Sequence, residues 1–244
     1  MTPAPDVTPH PGATPDVAVP ALLAAHTSRL LETAARLDDV SRPSLCDGWT
    51  RGHVLSHLAR NAEAIGRLAS WAVTGERQEM YPGGSSARDA EIEAGAGRGP
   101  ADQELDVRTT ARALVPALEP LEGPLAADPV EMRGGYEVPA RRLPFLRLRE
   151  VVYHHVDLDA GFTFDDVEPE LLRAFVGDAV DRLASGSRPP AVTLRTDQGD
   201  SWTLGEGTTT VSGSLGGLLL WLARRIETGV SSDGAQLPAL PRGA

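Results

Sequence analysis

Four of the six histidines fall in two short stretches, His53 with His57 and His154 with His155. Glu150 stands four residues before His154. Residues four apart on a helix share a face, so Glu150 pairs with His154 and His53 with His57. Helical bundles hold metals with inward carboxylates and histidines from facing helices. One Glu with two His is a ligand set for catalytic zinc that leaves the fourth position open. Such a site keeps a residual positive charge and favours an anionic thiolate. Spacing alone does not choose between His53 and His57. His155 points roughly 100° away from His154, so one metal takes only one of the two. The bland alternative is an ordinary exposed i,i+4 pair, and the motif by itself is weak. His10 and His26 have no partner pattern and read as structural or exposed.

The arginines form a second constellation. Arg147 and Arg149 lie just before Glu150, and Arg224 and Arg225 lie near the end of the last apolar helix. Guanidinium groups bind carboxylates bidentately. The same residues also serve as surface charges that complement a helix C-terminus. Cys46 has no cation near it in sequence and reads as a packing residue rather than an activated nucleophile. There is no Gly-x-Ser-x-Gly elbow, no Walker loop and no dinucleotide fingerprint. Gly213 to Gly217 reads as a tight strand-to-helix turn.

Positioning these groups requires helices. Apolar periodicity predicts four of them in the first 160 residues, over about Pro20–Leu37, Thr50–Gly75, Gln103–Leu121 and Pro144–Asp159. Thr50 is a good N-cap for the second. Glu76–Ala87 reads as a loop and 122–140 as irregular. This pattern predicts a four-helix bundle. It then changes to a helix over Glu168–Leu183, strands over Ala191–Thr196, Ser201–Leu204 and Thr208–Val211, and a helix over Ser212–Thr228. The fold class expected is α+β. The expected organisation is a Pro-rich disordered leader over 1–19, a bundle over 20–162, a small α+β domain over 163–230 and a tail over 231–244.

Composition narrows the function. Among 244 residues there are 23 Lys+Arg, 34 Asp+Glu and one cysteine, giving a net charge of −11. Every basic residue is Arg, so no lysine can form a Schiff base with a cofactor. One cysteine excludes an intrachain disulfide, a thiolate cluster and a Cys-x-x-Cys pair. The acidic balance argues against nucleic acid or an anionic membrane as partner, but not against a small anion in a locally basic pocket. No apolar run is long enough to span a bilayer and no signal peptide is evident, so the cytoplasm is the expected location. The oligomeric state stays open, a monomer included.

Longer stretches carry a resemblance. Asp47-Gly48-Trp49-Thr50-Arg51-Gly52-His53-Val54-Leu55-Ser56-His57-Leu58-Ala59 resembles the second-helix signature of DinB-like metalloproteins. Arg147-Leu148-Arg149-Glu150-Val151-Val152-Tyr153-His154-His155-Val156-Asp157-Leu158 resembles their fourth-helix motif. Trp71–Glu76, Glu79–Pro82, Ala87–Ile92 and Val211–Gly217 are similar to the mycothiol-dependent maleylpyruvate isomerases.

The resemblance implies a DinB-like bundle with a small sterol-carrier-like α/β domain, and Zn2+ and mycothiol as cofactors. It assigns the metal to His57, Glu150 and His154, choosing His57 because Leu-Ala follows it. It assigns catalysis to Arg225, with Arg149, Arg88, Tyr81 and Asn61 as weaker substrate-binding candidates. Arg224 stands where the family has glycine. The partners implied are a small anionic substrate and a low-molecular-weight thiol. The activity implied is cis–trans isomerisation of maleylpyruvate to fumarylpyruvate. The alternatives are a mycothiol S-transferase acting on another electrophile and a non-catalytic metal- or thiol-binding protein.

Overall fold

The computed structural model describes residues 17–234 and 236–241. Most of the expected leader, through residue 16, therefore lies outside the described residues. The chain divides into two units, Ala18–Phe162 and a second that begins at Thr163. No helix among the described residues is long and apolar enough to cross a membrane.

The first unit is helical. It contains α1 (Val19–Ala34), α2 (Arg51–Thr74), α3 (Gly84–Ala96), α4 (Pro100–Leu118) and α5 (Leu143–Asp157). The long helices α1, α2, α4 and α5 make the bundle, with α2 packed against α4 and α5 and α1 against α5. The apolar stripe of α2 (Val54, Leu58, Ile65, Leu68 and Ala72) is buried, as are Leu146, Val151, Val152 and Val156 of α5.

The start of α2 is firmly defined. Thr50 accepts from the His53 amide, and His53 Nδ1 accepts from the Thr50 amide at 3.2 Å, a reciprocal capping box. The amides of Arg51 and Gly52 donate back to the carbonyls of Arg42 and Val40 at 2.9 and 2.8 Å. At the far end Gly75 closes the helix at φ 78, a left-handed cap that favours glycine.

Helix α3 is an addition to the four helices expected. Sequence periodicity misses it because only Ile92, Gly95 and Ala96 of its residues are buried. It docks on α2 through small residues rather than an apolar stripe. A Cβ on Gly52 would lie 2.2 Å from the Ala96 carbonyl oxygen, and one on Gly95 would lie 2.5 Å from Ser56 Oγ. The region expected to be irregular carries a short hairpin, β1 (Val130–Glu131) with β2 (Glu137–Val138).

The second unit places α6 (Pro169–Ala184) and α7 (Leu215–Arg224) with a four-stranded sheet. The strands are β3 (Val192–Thr196), β4 (Ser201–Leu204), β5 (Thr209–Gly213) and β6 (Val230–Ser232), in the order β4-β3-β5-β6. β3 pairs antiparallel with β4 and parallel with β5, and β6 is antiparallel to β5. Helix α7 stops at Arg224, not Thr228, and part of the expected tail forms β6. The glycine-rich turn is a packing device. Ser214 caps α7, and a Cβ on Gly213 would meet the Gly229 carbonyl oxygen at 2.3 Å.

The close approach of α2 and α3 gives a test. Gly52→Ala forces backbone apart and should cost about 1–3 kcal/mol in urea unfolding. Gly97→Ala meets nothing within 4 Å and should change stability by less than about 0.5 kcal/mol. Equal effects of the two substitutions would contradict this packing.

Candidate metal centre

Helices α2 and α5 run antiparallel, and their contacting turns bring His57, Glu150 and His154 together. One donor atom from each lies within 4.8 Å of the others. His57 Nε2 is 2.8 Å from Glu150 Oε2, and His154 Nε2 is 3.6 Å from the same oxygen. The two imidazoles meet edge to face at 4.5 Å. Donors around a tetrahedral zinc stand about 3.3 Å apart, so the three groups match a metal in chemistry and spacing.

Two buried arginines brace the seam on either side. Arg51 Nε donates to the Leu158 carbonyl at 2.6 Å, and its Nη2 donates to the Asp159 carbonyl. Arg147 Nη1 donates to the Leu58 carbonyl at 2.9 Å and to Asn61 Oδ1 at 2.7 Å. Burial lowers the Arg147 pKa to about 10, opposed by Glu150 and Tyr81. Its Nη2 is buried and meets no acceptor among the described residues. In the sequence Arg147 stands beside Arg149 as one of several arginines, with no mark of its own but its position. The signal was its place one turn before Glu150, on the helix face turned toward α2.

Burial sets the electrostatics of the cluster. Desolvation drives the His57 pKa down to about 4, aided by the neighbouring His154 and Arg88 and opposed by Glu150. His57 is then neutral near pH 7, the state a metal ligand needs. Burial resists ionisation of Glu150, but hydrogen bonds from His154 and His57 outweigh it and hold the carboxyl well below its usual range. Burial likewise resists charging His154, yet Asp157, Cys46 and Glu150 raise its pKa well above the ordinary value.

Asp157 is a contributor that sequence reasoning did not single out. Its buried carboxylate lies 2.7 Å from His154 Nδ1 and accepts from Cys46 Sγ at 3.2 Å. A carboxylate on the far nitrogen fixes the ring and leaves Nε2 directed toward Glu150. The spacing Glu150, His154, Asp157 keeps all three on one helical face and was readable as i, i+4, i+7. Cys46, His154 and Asp157 also converge within 4.8 Å, so His154 belongs to two potential donor sets.

His53 is engaged elsewhere. Its Nδ1 closes the α2 cap and its Nε2 lies 3.0 Å from Glu93 of α3. His155 faces α1, 2.8 Å from Thr33 Oγ1 and stacked on Phe162 at 3.8 Å. His26 is buried beside the same Phe162 ring.

Trp49 covers the cluster, with its ring 5.5 Å from His57 and 6.4 Å from His154. Arg88 Nη2 lies 3.1 Å from His57 Nδ1, and its guanidinium sits between the rings of Trp49 and Tyr81 at 5.9 and 5.6 Å. Arg149 Nη2 stands 4.0 Å from Glu150 Oε1. Of the weaker candidates, Arg88 and Arg149 thus adjoin the cluster directly. Tyr81 reaches it through Arg88, and Asn61 is occupied with Arg147.

Arg225 belongs to the second unit. It caps α7 in the left-handed region at φ 61, and its guanidinium donates to the carbonyls of Leu222, Trp221 and Pro241. Burial, then Arg224 and Arg182, lower its pKa.

A family model described as the mycothiol maleylpyruvate isomerase N-terminal domain matches residues 23–159, more than half the chain. The chain belongs to this family. The matched residues contain the α2–α5 seam and all three candidate ligands. Two solved structures extend the likeness across both units, each 28% identical with a TM-score of 0.83. Each match covers 94% of this chain and 99% of the other. One is the crystal structure of the mycothiol-dependent maleylpyruvate isomerase, the other a mutant of it with one histidine changed to alanine. No curated protein matches the chain in sequence.

The geometry separates the two histidines of α2. His57→Ala should abolish stoichiometric zinc in metal analysis of the purified protein. His53→Ala should retain zinc and lose about 0.5–2 kcal/mol of stability through the cap. Zinc lost from His53→Ala but kept in His57→Ala would place the metal on His53 and contradict this assignment.

Proposed function

We propose that the protein is a zinc- and mycothiol-dependent cis–trans isomerase that converts maleylpyruvate to fumarylpyruvate. The observation that carries this reading is the His57–Glu150–His154 convergence in a chain of the mycothiol maleylpyruvate isomerase family. These three residues would hold the metal, and Asp157 would orient His154. Zinc bound there would hold a thiol as its thiolate at neutral pH.

The chain's own residues support an external rather than an internal nucleophile. Cys46 Sγ donates to the Asp157 carboxylate at 3.2 Å, so the one thiol of the chain is engaged as a hydrogen-bond donor. In the proposed reaction the thiolate sulfur bonds to one carbon of the cis double bond, and the π electrons move onto the conjugated carbonyl oxygen. The former double bond rotates as a single bond. The electrons then return, the carbon–sulfur bond breaks, and the trans isomer leaves with the thiol regenerated.

The substrate is a dianion, so arginines decide its placement. Arg88 and Arg149 are positioned beside the cluster to meet a carboxylate. Arg225 is proposed as the catalytic arginine that stabilises charge developing on the enolate oxygen. Use of a low-molecular-weight thiol requires a reducing compartment, consistent with the cytoplasm.

Loss of maleylpyruvate absorbance, followed with and without mycothiol, tests the reading. The zinc-loaded protein should turn over only with the thiol, and Cys46→Ala should retain that thiol-dependent activity. Arg225→Ala should keep its zinc and lose at least about 100-fold in turnover. Equal rates without thiol would overturn the proposal, and full activity in Arg225→Ala would remove that residue from it.

A further inference from the structure

A cavity of about 310 Å³ opens in the first unit. It lies between the end of α2, the segment leading into α3 and the β1–β2 hairpin. Its size is at the lower end of the ~300–1,000 Å³ usual for small-molecule sites. Tyr81 forms part of its wall, Arg88 stacks beside Tyr81 at 5.6 Å, and Arg88 reaches His57 at 3.1 Å. Two side chains therefore separate the cavity from the metal cluster.

The chemistry of the lining is distinctive. Trp71, Met80 and Met132 supply apolar surface. Arg77, Glu79, Glu131 and Arg133 bring two positive and two negative groups, so the charges balance. Arg77 is already matched, with its Nη2 2.9 Å from Glu131 and its guanidinium 5.8 Å over the Trp71 ring. A balanced set suits the dianionic substrate poorly. It suits a neutral ligand with many hydroxyls, because carboxylates accept and guanidinium groups donate, while an indole face covers the apolar side of a sugar ring.

We infer that this cavity binds the glycosyl–polyol portion of mycothiol, a cysteine derivative carrying a glucosamine–inositol unit. The inference rests on the proposed thiol dependence and assigns its bulky part to a place. The cysteinyl arm then extends past Tyr81 and Arg88 toward His57, Glu150 and His154. The sugar is held away from the substrate, and affinity for the thiol is separated from the chemistry at the cluster.

The test is calorimetric titration of the zinc-loaded full chain with N-acetylglucosaminyl-inositol, which keeps this portion neutral as an amide, lacks the cysteinyl thiol and cannot use sulfur as a ligand. The wild type should bind it. Trp71→Ala, and separately the exposed Arg133→Ala, should weaken binding at least tenfold. His57→Ala should leave it within about twofold. In turnover assays Trp71→Ala should raise KM for mycothiol and leave KM for maleylpyruvate unchanged. No binding by wild type, or binding unaltered in both cavity variants, would overturn the assignment. A protein that binds the fragment but never isomerises maleylpyruvate would retain this site and refute the proposed reaction.

Discussion

Two buried arginines lock the antiparallel seam between α2 and α5, and the position of each candidate ligand follows from that lock. Arg51 ties the start of α2 to the end of α5, and Arg147 ties the start of α5 to the middle of α2. His57, Glu150 and His154 lie between these clamps. A hydrogen bond to a charged group contributes about 1.5–3 kcal/mol and fixes direction as well as distance. Apolar packing on either side would hold the helices together, but it would tolerate small slides. Charged bonds to particular carbonyls do not, and a metal site needs its donors fixed to within a few tenths of an ångström.

The clamps also explain how the protein tolerates so many ionisable groups in its interior. Asp157 is a buried carboxylate and Glu150 a half-buried one, and His154 stands between them. Each group is satisfied only by its neighbours. His154 therefore takes a raised pKa while His57, a few ångströms away, takes a lowered one. This unequal sharing leaves one imidazole already neutral and the other oriented by Asp157. Trp49 and Arg88 cover the arrangement, and α3 brings Arg88 into place.

Much of this was legible from residue spacing, and the parts that were not have physical causes. The i,i+4 relations of Glu150 with His154 and His53 with His57 put these residues on two helices, and the two helices face each other. They could not choose between His53 and His57, because both point to the same side of α2. The choice is made by the cap, which engages His53 with Thr50 and Glu93. Helix α3 escaped detection because it packs by close backbone approach at Gly52, Gly95 and Ala96, which leaves no apolar period to read. The β1–β2 hairpin has only two residues per strand, too few for alternation to emerge. The end of α7 lies earlier than expected because no glycine or proline interrupts the sequence between Gly217 and Gly229, whereas the chain turns left-handed at Arg225. Asp157 lay one turn beyond His154 and was visible in principle, but its role depends on a contact with Cys46 from a distant loop.

The most direct measurement of the central claim is X-ray absorption at the zinc edge, with and without mycothiol. Without the thiol, the ligands of the metal should be two imidazoles and light oxygen donors, with no sulfur. Addition of mycothiol should bring one sulfur to about 2.3 Å. Sulfur present before the thiol is added would mean that Cys46, with His154 and Asp157, takes the metal. No sulfur after addition would mean that the cluster does not activate the thiol.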